Sequence, residues 1–283
     1  NPVKPPRTMK KTLDLLVAAV LLLCVAVLAG CGDRIDGKDF IAAFSLDRDY
    51  YEVRLARGTT SIAITNGSGD LALEVADETV LQATYTGGLY ADEMGGVIDL
   101  YGKRKGTTAL TVTDRITGDR QTVEVKVTDC YLAYNIFDSN HPSLKAGTTL
   151  FWVNNPARDC YLFDQENVLD APLAEGAYAF HVAADPEGDG ASSPYGIPCL
   201  RLTGISASPC DFQIEMQGED VGSPVILSVI AAYLDVDWEK LAGQARTRGD
   251  LPIDMTLILT VPGTDYRIRG VLSTISLPEH FLD

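Results

Sequence analysis

Short runs of β-forming residues, in which apolar and polar side chains alternate, constrain the fold of this chain more than any other feature. From Phe40 onward, runs rich in Val, Ile, Thr and Tyr are separated by Gly, Asn and Asp. Tyr51, Val53 and Leu55 alternate with other residues, and the same period of two recurs over residues 212–216. Such alternation gives a strand one buried face and one exposed face. The sequence therefore predicts an all-β chain.

The strand pattern divides into two units. Residues 40–128 hold about seven short runs, a number that suits a small β-sandwich. Residues 129–283 are richer in aromatic residues and predict a second, mainly β domain with one short helix. Asp237 is expected to cap that helix, over residues 237–246, because its carboxylate can accept hydrogen bonds from the first helical turn. Residues 225–234 are apolar almost throughout and fit either a buried strand or the start of a helix.

The N-terminal region, residues 1–30, is predicted to contain upstream residues and an export signal. A basic start, Met9-Lys10-Lys11, precedes an apolar run over residues 15–29. This run is shorter than the ~20 apolar residues that span a bilayer, which favours a cleaved signal over the alternative, a retained anchor helix. The run ends in Leu28-Ala29-Gly30-Cys31, which resembles the lipobox of bacterial lipoproteins. The resemblance implies cleavage before Cys31, lipid on its thiol, membrane attachment through that lipid, and a tether over residues 31–39.

The first unit contains a glycine followed by a β-branched run. Residues 105–114 have the sequence KGTTALTVTD, residues 66–69 have NGSG, and a β-branched run over residues 123–127 closes the unit. Gly106 suits a turn that needs unusual backbone angles. These stretches resemble a bacterial Ig-like domain, group 2. The resemblance implies an Ig-like β-sandwich that serves as a spacer or adhesion module, and it carries no catalytic motif.

Four cysteines, Cys130, Cys160, Cys199 and Cys210, remain beyond the export signal. An even number in an exported chain predicts disulfide bonds, and four cysteines allow three pairings. The shorter loops favour Cys130–Cys160 and Cys199–Cys210, and buried free thiols are the alternative. A zinc site is disfavoured, because the chain has no Cys-x-x-Cys pair and His181 is the single histidine between the cysteines.

The balance of charge limits the partners and cofactors. The formal net charge is −16, which repels phosphate backbones and argues against nucleic acid. No cofactor is expected apart from calcium. Asp185, Glu187 and Asp189 put carboxylates at alternate positions, and calcium needs several converging oxygens. Gly196 stands where an EF-hand has its last glutamate, so an EF-hand is excluded, and an acidic surface turn is the alternative.

Aromatic residues of the second domain suggest a ligand-binding platform. Trp152, Tyr161 and Tyr178 are the candidates, because flat rings can stack on the rings of sugars. The alternative is that these side chains form core. Phe151 and Trp152 are adjacent in a strand and point to opposite faces, so one of the two must pack inward.

No catalytic motif is present in the sequence. We find no nucleophile elbow, phosphate loop, dinucleotide fingerprint or His-Glu-x-x-His helix, and the three histidines do not combine into a site by their spacing. We therefore expect a non-catalytic, lipid-anchored outer-membrane lipoprotein of the bacterial cell envelope, whose second domain binds a glycan or an envelope protein. The alternatives are a polysaccharide-acting hydrolase with paired carboxylates in the second domain and a structural subunit of a surface assembly. The sequence leaves open whether the protein faces the periplasm or the outside.

Overall fold

The computed structural model describes residues 41–56, 60–87, 95–166, 171–184, 196–215, 225–242 and 256–283. Within these ranges the chain forms fifteen strands and two helices. The predicted fold class, an Ig-like sandwich followed by a second mainly β domain, is confirmed. The strands of the sandwich are β1 (Tyr50–Arg54), β2 (Thr60–Ile64), β3 (Leu71–Val75), β4 (Leu81–Thr86), β5 (Gly96–Gly102), β6 (Gly106–Asp114) and β7 (Arg120–Thr128).

The sandwich consists of two sheets with one core between them. One sheet has the order β1-β7-β6-β3 and the other β2-β5-β4. β1 runs parallel to β7, whereas the remaining pairs are antiparallel. Alternate residues face inward, as the sequence pattern requires, and the buried side chains include Val53, Ile62, Ile64, Ile98, Leu100, Leu110, Val112 and Val125. The period of two therefore gives each sheet its apolar face.

Two glycines allow the tight turns of the sandwich. Gly67 has φ +86°, and a Cβ atom there would lie 2.8 Å from the Cβ of Phe44. Gly106 has φ +149° at the start of β6, which agrees with the unusual backbone expected there. Both conformations are costly for residues that carry a side chain.

The second domain is a closed barrel of eight antiparallel strands. Each strand pairs with the next along the chain, and the last strand pairs with the first. The strands are β8 (Tyr131–Ser139), β9 (Thr148–Val153), β10 (Asp159–Asp164), β11 (Ala174–Ala183), β12 (Ile197–Thr203), β13 (Cys210–Glu215), β14 (Thr256–Thr260) and β15 (Arg267–Ser273). The interior is filled by side chains that include Tyr134, Trp152 and Phe212. Closure leaves no free strand edge in this sheet.

Two helices, rather than the one predicted, lie between β13 and β14: α1 (Val225–Leu234) and α2 (Trp238–Ala242). The ambiguous apolar stretch is thus a helix, and it packs Ile226, Leu227, Ile230 and Leu234 into the barrel core. An all-apolar segment cannot reveal this, because strand and helix patterns both fit it. The predicted cap is confirmed, since the Asp237 carboxylate accepts the Lys240 N–H at 2.9 Å.

Residues 274–283, which we call the C-terminal segment, leave β15 and cover the outer face of the barrel. Leu277, Phe281 and Leu282 pack on Tyr131, Ala133, Phe151, Val153, Tyr161 and Phe163 of β8, β9 and β10. This contact explains why β9 is buried along its whole length. The same segment touches the sandwich: Arg54 donates hydrogen bonds to the carbonyls of Thr274 and Ile275, each at 2.6 Å.

No helix among the described residues is both long enough and apolar enough to cross a lipid bilayer.

Candidate functional site

A cavity of about 500 Å³ lies where α2 meets β11, and we call it the mouth pocket. It is lined by Arg158, Tyr178, Phe180, Val236, Lys240 and Leu241, with Ala179 and two aspartates completing the wall. Leu241 is 41% exposed, so apolar surface is open to solvent at this point. The volume falls within the range of about 300–1,000 Å³ that is typical of small-molecule sites.

The floor of the mouth pocket is aromatic. Tyr178 and Phe180 are two residues apart on β11 and so lie on the same face of the strand, with ring centroids 5.6 Å apart. Behind them the Phe180 ring meets Trp152 edge-on at 5.9 Å and Trp238 at 5.4 Å. Tyr178 donates its hydroxyl to the Val153 carbonyl at 3.1 Å, which holds the ring in place. Packing on three sides makes this floor rigid.

Arg158 supplies a cation at the pocket wall. Its Nη1 group donates to the Asn154 side-chain oxygen at 2.6 Å and to the Leu234 carbonyl at the end of α1. The last carbonyls of a helix have no helical partners, so a guanidinium at that position stabilises the helix end. Arg158 has φ 55°, an uncommon conformation for an arginine. The Arg158 backbone therefore takes a less favoured conformation at the point where its guanidinium contacts the end of α1.

Neither Arg158 nor Lys240 forms an ion pair with any residue that the structure describes. Two carboxylates, Asp235 and Asp237, also line the pocket, and both are exposed. Asp235 follows the end of α1 with φ 52°, in the left-handed conformation that often ends a helix. The rim therefore offers hydrogen-bond donors and acceptors around an apolar floor.

The aromatic platform expected from the sequence is wrong in its main residue. Trp152 is fully buried and stacks on Tyr134 inside the barrel at 5.8 Å. Tyr161 is on the outer face, where its ring meets Phe281 at 4.8 Å. Tyr178 does line the mouth pocket, but only 4% of it is exposed. Closure of the barrel turns Trp152 inward, and the C-terminal segment covers Phe151 on the opposite face.

Sequence reasoning missed most of the pocket. Arg158 follows a turn-forming Asn154-Asn155-Pro156 run, which marks a turn and does not reveal the direction of the next side chain. The sequence predicts Asp237 as a helix cap, but its position beside β11 depends on the barrel. The spacing of two residues between Tyr178 and Phe180 is the one signal in the sequence that links two pocket residues.

The predicted disulfides are not formed in the structure, which holds Cys130, Cys160, Cys199 and Cys210 as thiols. Cys199 pairs in register with Gln213, whereas Cys210 pairs with Leu202, three residues further along, so the two lie about 10 Å apart. That exceeds the ~7 Å that a disulfide can bridge between Cα atoms. Cys130 immediately precedes β8 and Cys160 lies on β10, with β9 between them.

The Cys160 and Cys199 thiols are not activated for catalysis. Burial raises the pKa of Cys160 to about 12, and Asp159 adds to the effect. His181 is the cross-strand neighbour of Cys199, which resembles a base beside a nucleophile, yet burial raises the pKa of that thiol too. A reactive cysteine needs the opposite shift. Neither thiol has the character of a catalytic nucleophile.

Two of the predicted sites lie outside the described residues. They are the lipidation site Cys31 and the calcium candidates Asp185, Glu187 and Asp189. A different group of metal-ligating side chains is described: Glu52 of β1 with His280 and Asp283 of the C-terminal segment, whose ligand atoms all lie within 4.8 Å of one another.

Comparison with known proteins gives only distant similarities in structure. No family model matches the sequence, and no curated protein matches it. Domains 4 and 5 of the S-layer protein SbsC share 11% identity over 31% of this chain and 45% of that chain, with a TM-score of 0.26. The chain thus spans less than half the length of that relative.

Two further structures match more of this chain. Domains 5–6 of SbsC share 10% identity over 61% of this chain and 96% of that one, with a TM-score of 0.27. The adhesin InvE of Yersinia pseudotuberculosis shares 11% identity over 62% of this chain and 59% of that one, with a TM-score of 0.21. Similarity at this level does not identify a function.

Proposed function

We propose that this chain is a lipid-anchored protein of the bacterial cell envelope, and that it binds a sugar ring in the mouth pocket without chemically changing it. The observation that carries the proposal is the pairing of an aromatic floor, Tyr178 and Phe180, with polar groups at the rim. A sugar uses both, because its C–H faces pack on aromatic rings while its hydroxyls exchange hydrogen bonds with polar side chains.

The carboxylates of the pocket favour binding over hydrolysis. A glycosidase needs an acid that stays protonated, and burial is the usual means of achieving that. Asp235 and Asp237 are both exposed, and Asp237 is already engaged as the cap of α2. The exposure of these two carboxylates is therefore the specific point against the hydrolase alternative.

The order of the units supports a spacer role for the sandwich. The lipobox at Cys31 precedes the sandwich, and the sandwich precedes the barrel. Contacts of Arg54 with the C-terminal segment join the sandwich to the barrel. With a lipid at Cys31, the Ig-like unit would lie between the membrane and the mouth pocket and would act as a spacer.

Intrinsic fluorescence tests the binding directly. The chain has two tryptophans, Trp152 and Trp238, and both contact the Phe180 ring. We expect their emission to change when the full chain, in detergent, is titrated with glucose, galactose, N-acetylglucosamine, glucuronate or their short oligomers. Calorimetry of the ligand that responds gives its affinity.

A matched pair of variants assigns the response to the pocket. Phe180→Leu should weaken binding about twofold to tenfold, because a ring contact contributes about 0.5–1.5 kcal/mol. Phe137→Leu, at an exposed ring on β8, should leave the affinity unchanged. If no sugar gives heat or a fluorescence change, the proposal is wrong. Release of reducing ends from the oligomers would instead support the hydrolase.

A further inference from the structure

The C-terminal segment brings a histidine and a carboxylate onto the surface of β1. The ligand atoms of Glu52, His280 and Asp283 lie within 4.8 Å of one another. Across the described part of the chain, this is the one group of three or more His, Cys, Asp or Glu residues with such spacing. The group joins two units that are far apart in sequence, since Glu52 belongs to the sandwich and the other two follow the barrel.

The position of the imidazole is fixed from two sides. The His280 ring stacks on the Tyr50 ring, with centroids 4.5 Å apart and planes 22° apart. The His280 backbone N–H donates to Glu52 Oε1 at 2.8 Å. Next to it, Glu279 forms an ion pair with Arg48 at 2.7 Å, which holds the segment against the sandwich. The ligand-bearing residues are therefore positioned by contacts that do not involve a metal.

The carboxylates keep oxygen atoms available. Asp283 pairs with Lys126 through Oδ1, while its Oδ2 atom faces His280 Nδ1 at 3.2 Å. Glu52 accepts the Tyr50 hydroxyl and the His280 N–H through the same atom, Oε1. Glu52 therefore retains Oε2 for a metal, and Asp283 would present the Oδ2 atom that lies beside His280 Nδ1.

We propose that Glu52, His280 and Asp283 bind a Zn²⁺ ion that ties the C-terminal segment to the sandwich. Zinc accepts imidazole nitrogen together with carboxylate oxygen, and three protein ligands plus a water complete its tetrahedral shell. Calcium and magnesium prefer oxygen ligands alone, so the histidine selects a borderline transition-metal cation. Glu52 is half-buried and the other two are exposed, which leaves the water position open to solvent.

Such a metal would stabilise the folded chain. Its ligands come together only when the C-terminal segment lies on β1, so the ion binds the folded state and raises the unfolding temperature by mass action. The site lies at a different place from the mouth pocket and does not depend on sugar binding.

Zinc titration of the full chain in detergent tests the site. Calorimetry should find one Zn²⁺ per chain, and the unfolding temperature should rise with zinc. Glu52→Gln and His280→Asn should each weaken zinc binding at least about tenfold. Asparagine suits position 280, because it tolerates the left-handed backbone that His280 adopts at φ 64°.

Glu74→Gln is the matched control, because it makes the same carboxylate-to-amide change on the sandwich, but Glu74 is an exposed residue of β3 and lies outside the cluster. Its zinc affinity should equal that of the wild type. The proposal is overturned if zinc gives no heat, or if either Glu52→Gln or His280→Asn binds zinc within twofold of the wild type. If the cysteine thiols bound the zinc, both variants would bind it as the wild type does, and this result would also overturn the proposal.

Discussion

Asp114 is the buried charge on which the sandwich depends most directly. The residue is 0% exposed at the end of β6. Its carboxylate accepts hydrogen bonds from the Ser68 N–H at 2.7 Å and the Ser68 hydroxyl at 2.6 Å. It also accepts the N–H groups of Ile116 and Thr117 at 2.9 and 3.1 Å. This one side chain therefore joins the turn before β3 to the turn after β6.

Substitution to alanine should cost the sandwich about 3–5 kcal/mol. Three backbone N–H groups lose their acceptor in Asp114→Ala, and an unsatisfied group costs about 1–3 kcal/mol where water cannot reach it. Water that enters the space left by the side chain can bond to some of these groups, which keeps the loss in the free energy of unfolding near the lower end of that range. Asp114→Asn keeps the shape and one oxygen, so we expect about half of that loss.

The contribution of Asp114 should disappear in acid. Burial alone would raise the pKa of Asp114, but the hydrogen bonds from Ser68, Thr117 and Ile116 outweigh it and lower the pKa below the ordinary 3.8. A carboxyl with a lowered folded pKa stabilises the protein fully above its unfolded pKa. That stability is lost as pH falls through the folded pKa. The wild type and Asp114→Asn should therefore converge in stability below about pH 4.

Urea unfolding between pH 7 and pH 3 measures this difference. Both tryptophans, Trp152 and Trp238, belong to the second domain, so fluorescence follows the unfolding of that domain. A loss of circular dichroism signal without a change in fluorescence therefore reports unfolding of the sandwich. Asp99→Asn is the control, because Asp99 is half-buried and, from the residues that the structure describes, accepts one hydrogen bond, from Ser61 at 2.6 Å. The reasoning fails if Asp114→Asn differs from the wild type by less than about 0.5 kcal/mol at pH 7, a typical surface effect. A difference that stays constant down to pH 3 would also refute it.

Three further outcomes are expected. Cys31→Ser should abolish incorporation of a clickable fatty acid in a bacterial host, as seen by in-gel fluorescence, and continued labelling would exclude Cys31 as the lipid site. Leu277→Ala should cost about 2–4 kcal/mol in guanidinium unfolding, because Leu277 of the C-terminal segment is only 5% exposed where it packs on the barrel, and a neutral effect would mean that the segment is not held there. Burial raises the pKa of Cys160 to about 12, so iodoacetamide at pH 8 should label it only after denaturation, as mass spectrometry can check.

The sandwich could be predicted from the sequence because its determinants are local. The alternation at Tyr51 and Val53 fixes which face of β1 is buried, and Gly106 with the β-branched run after it fixes the start of β6. Such signals depend on neighbours along the chain. The contacts that they imply are therefore the ones that the structure contains.

The mouth pocket could not be predicted, because it depends on contacts between distant residues. Whether Trp152 lies inside or outside depends on closure of β15 onto β8, and its strand gives no sign of this since Phe151 is equally apolar. Arg158 reaches the pocket because α1 ends beside it, 76 residues further along the chain. The metal-ligating group has the same origin, since His280 meets Glu52 across a separation of 228 residues.

The C-terminal segment has a consequence for the order of folding. Its hydrogen bonds with β1 join residues separated by 220 or more positions, such as Arg54 and Thr274. Contacts of such sequence separation form slowly, because the intervening chain must be ordered first. The segment is also translated after every strand that it covers. The sandwich can therefore fold while the barrel is still being synthesised, and the outer face of β9 stays uncovered until the C-terminal segment packs on it. During that interval Phe151 and Phe163 form an exposed apolar surface to which an envelope chaperone could bind.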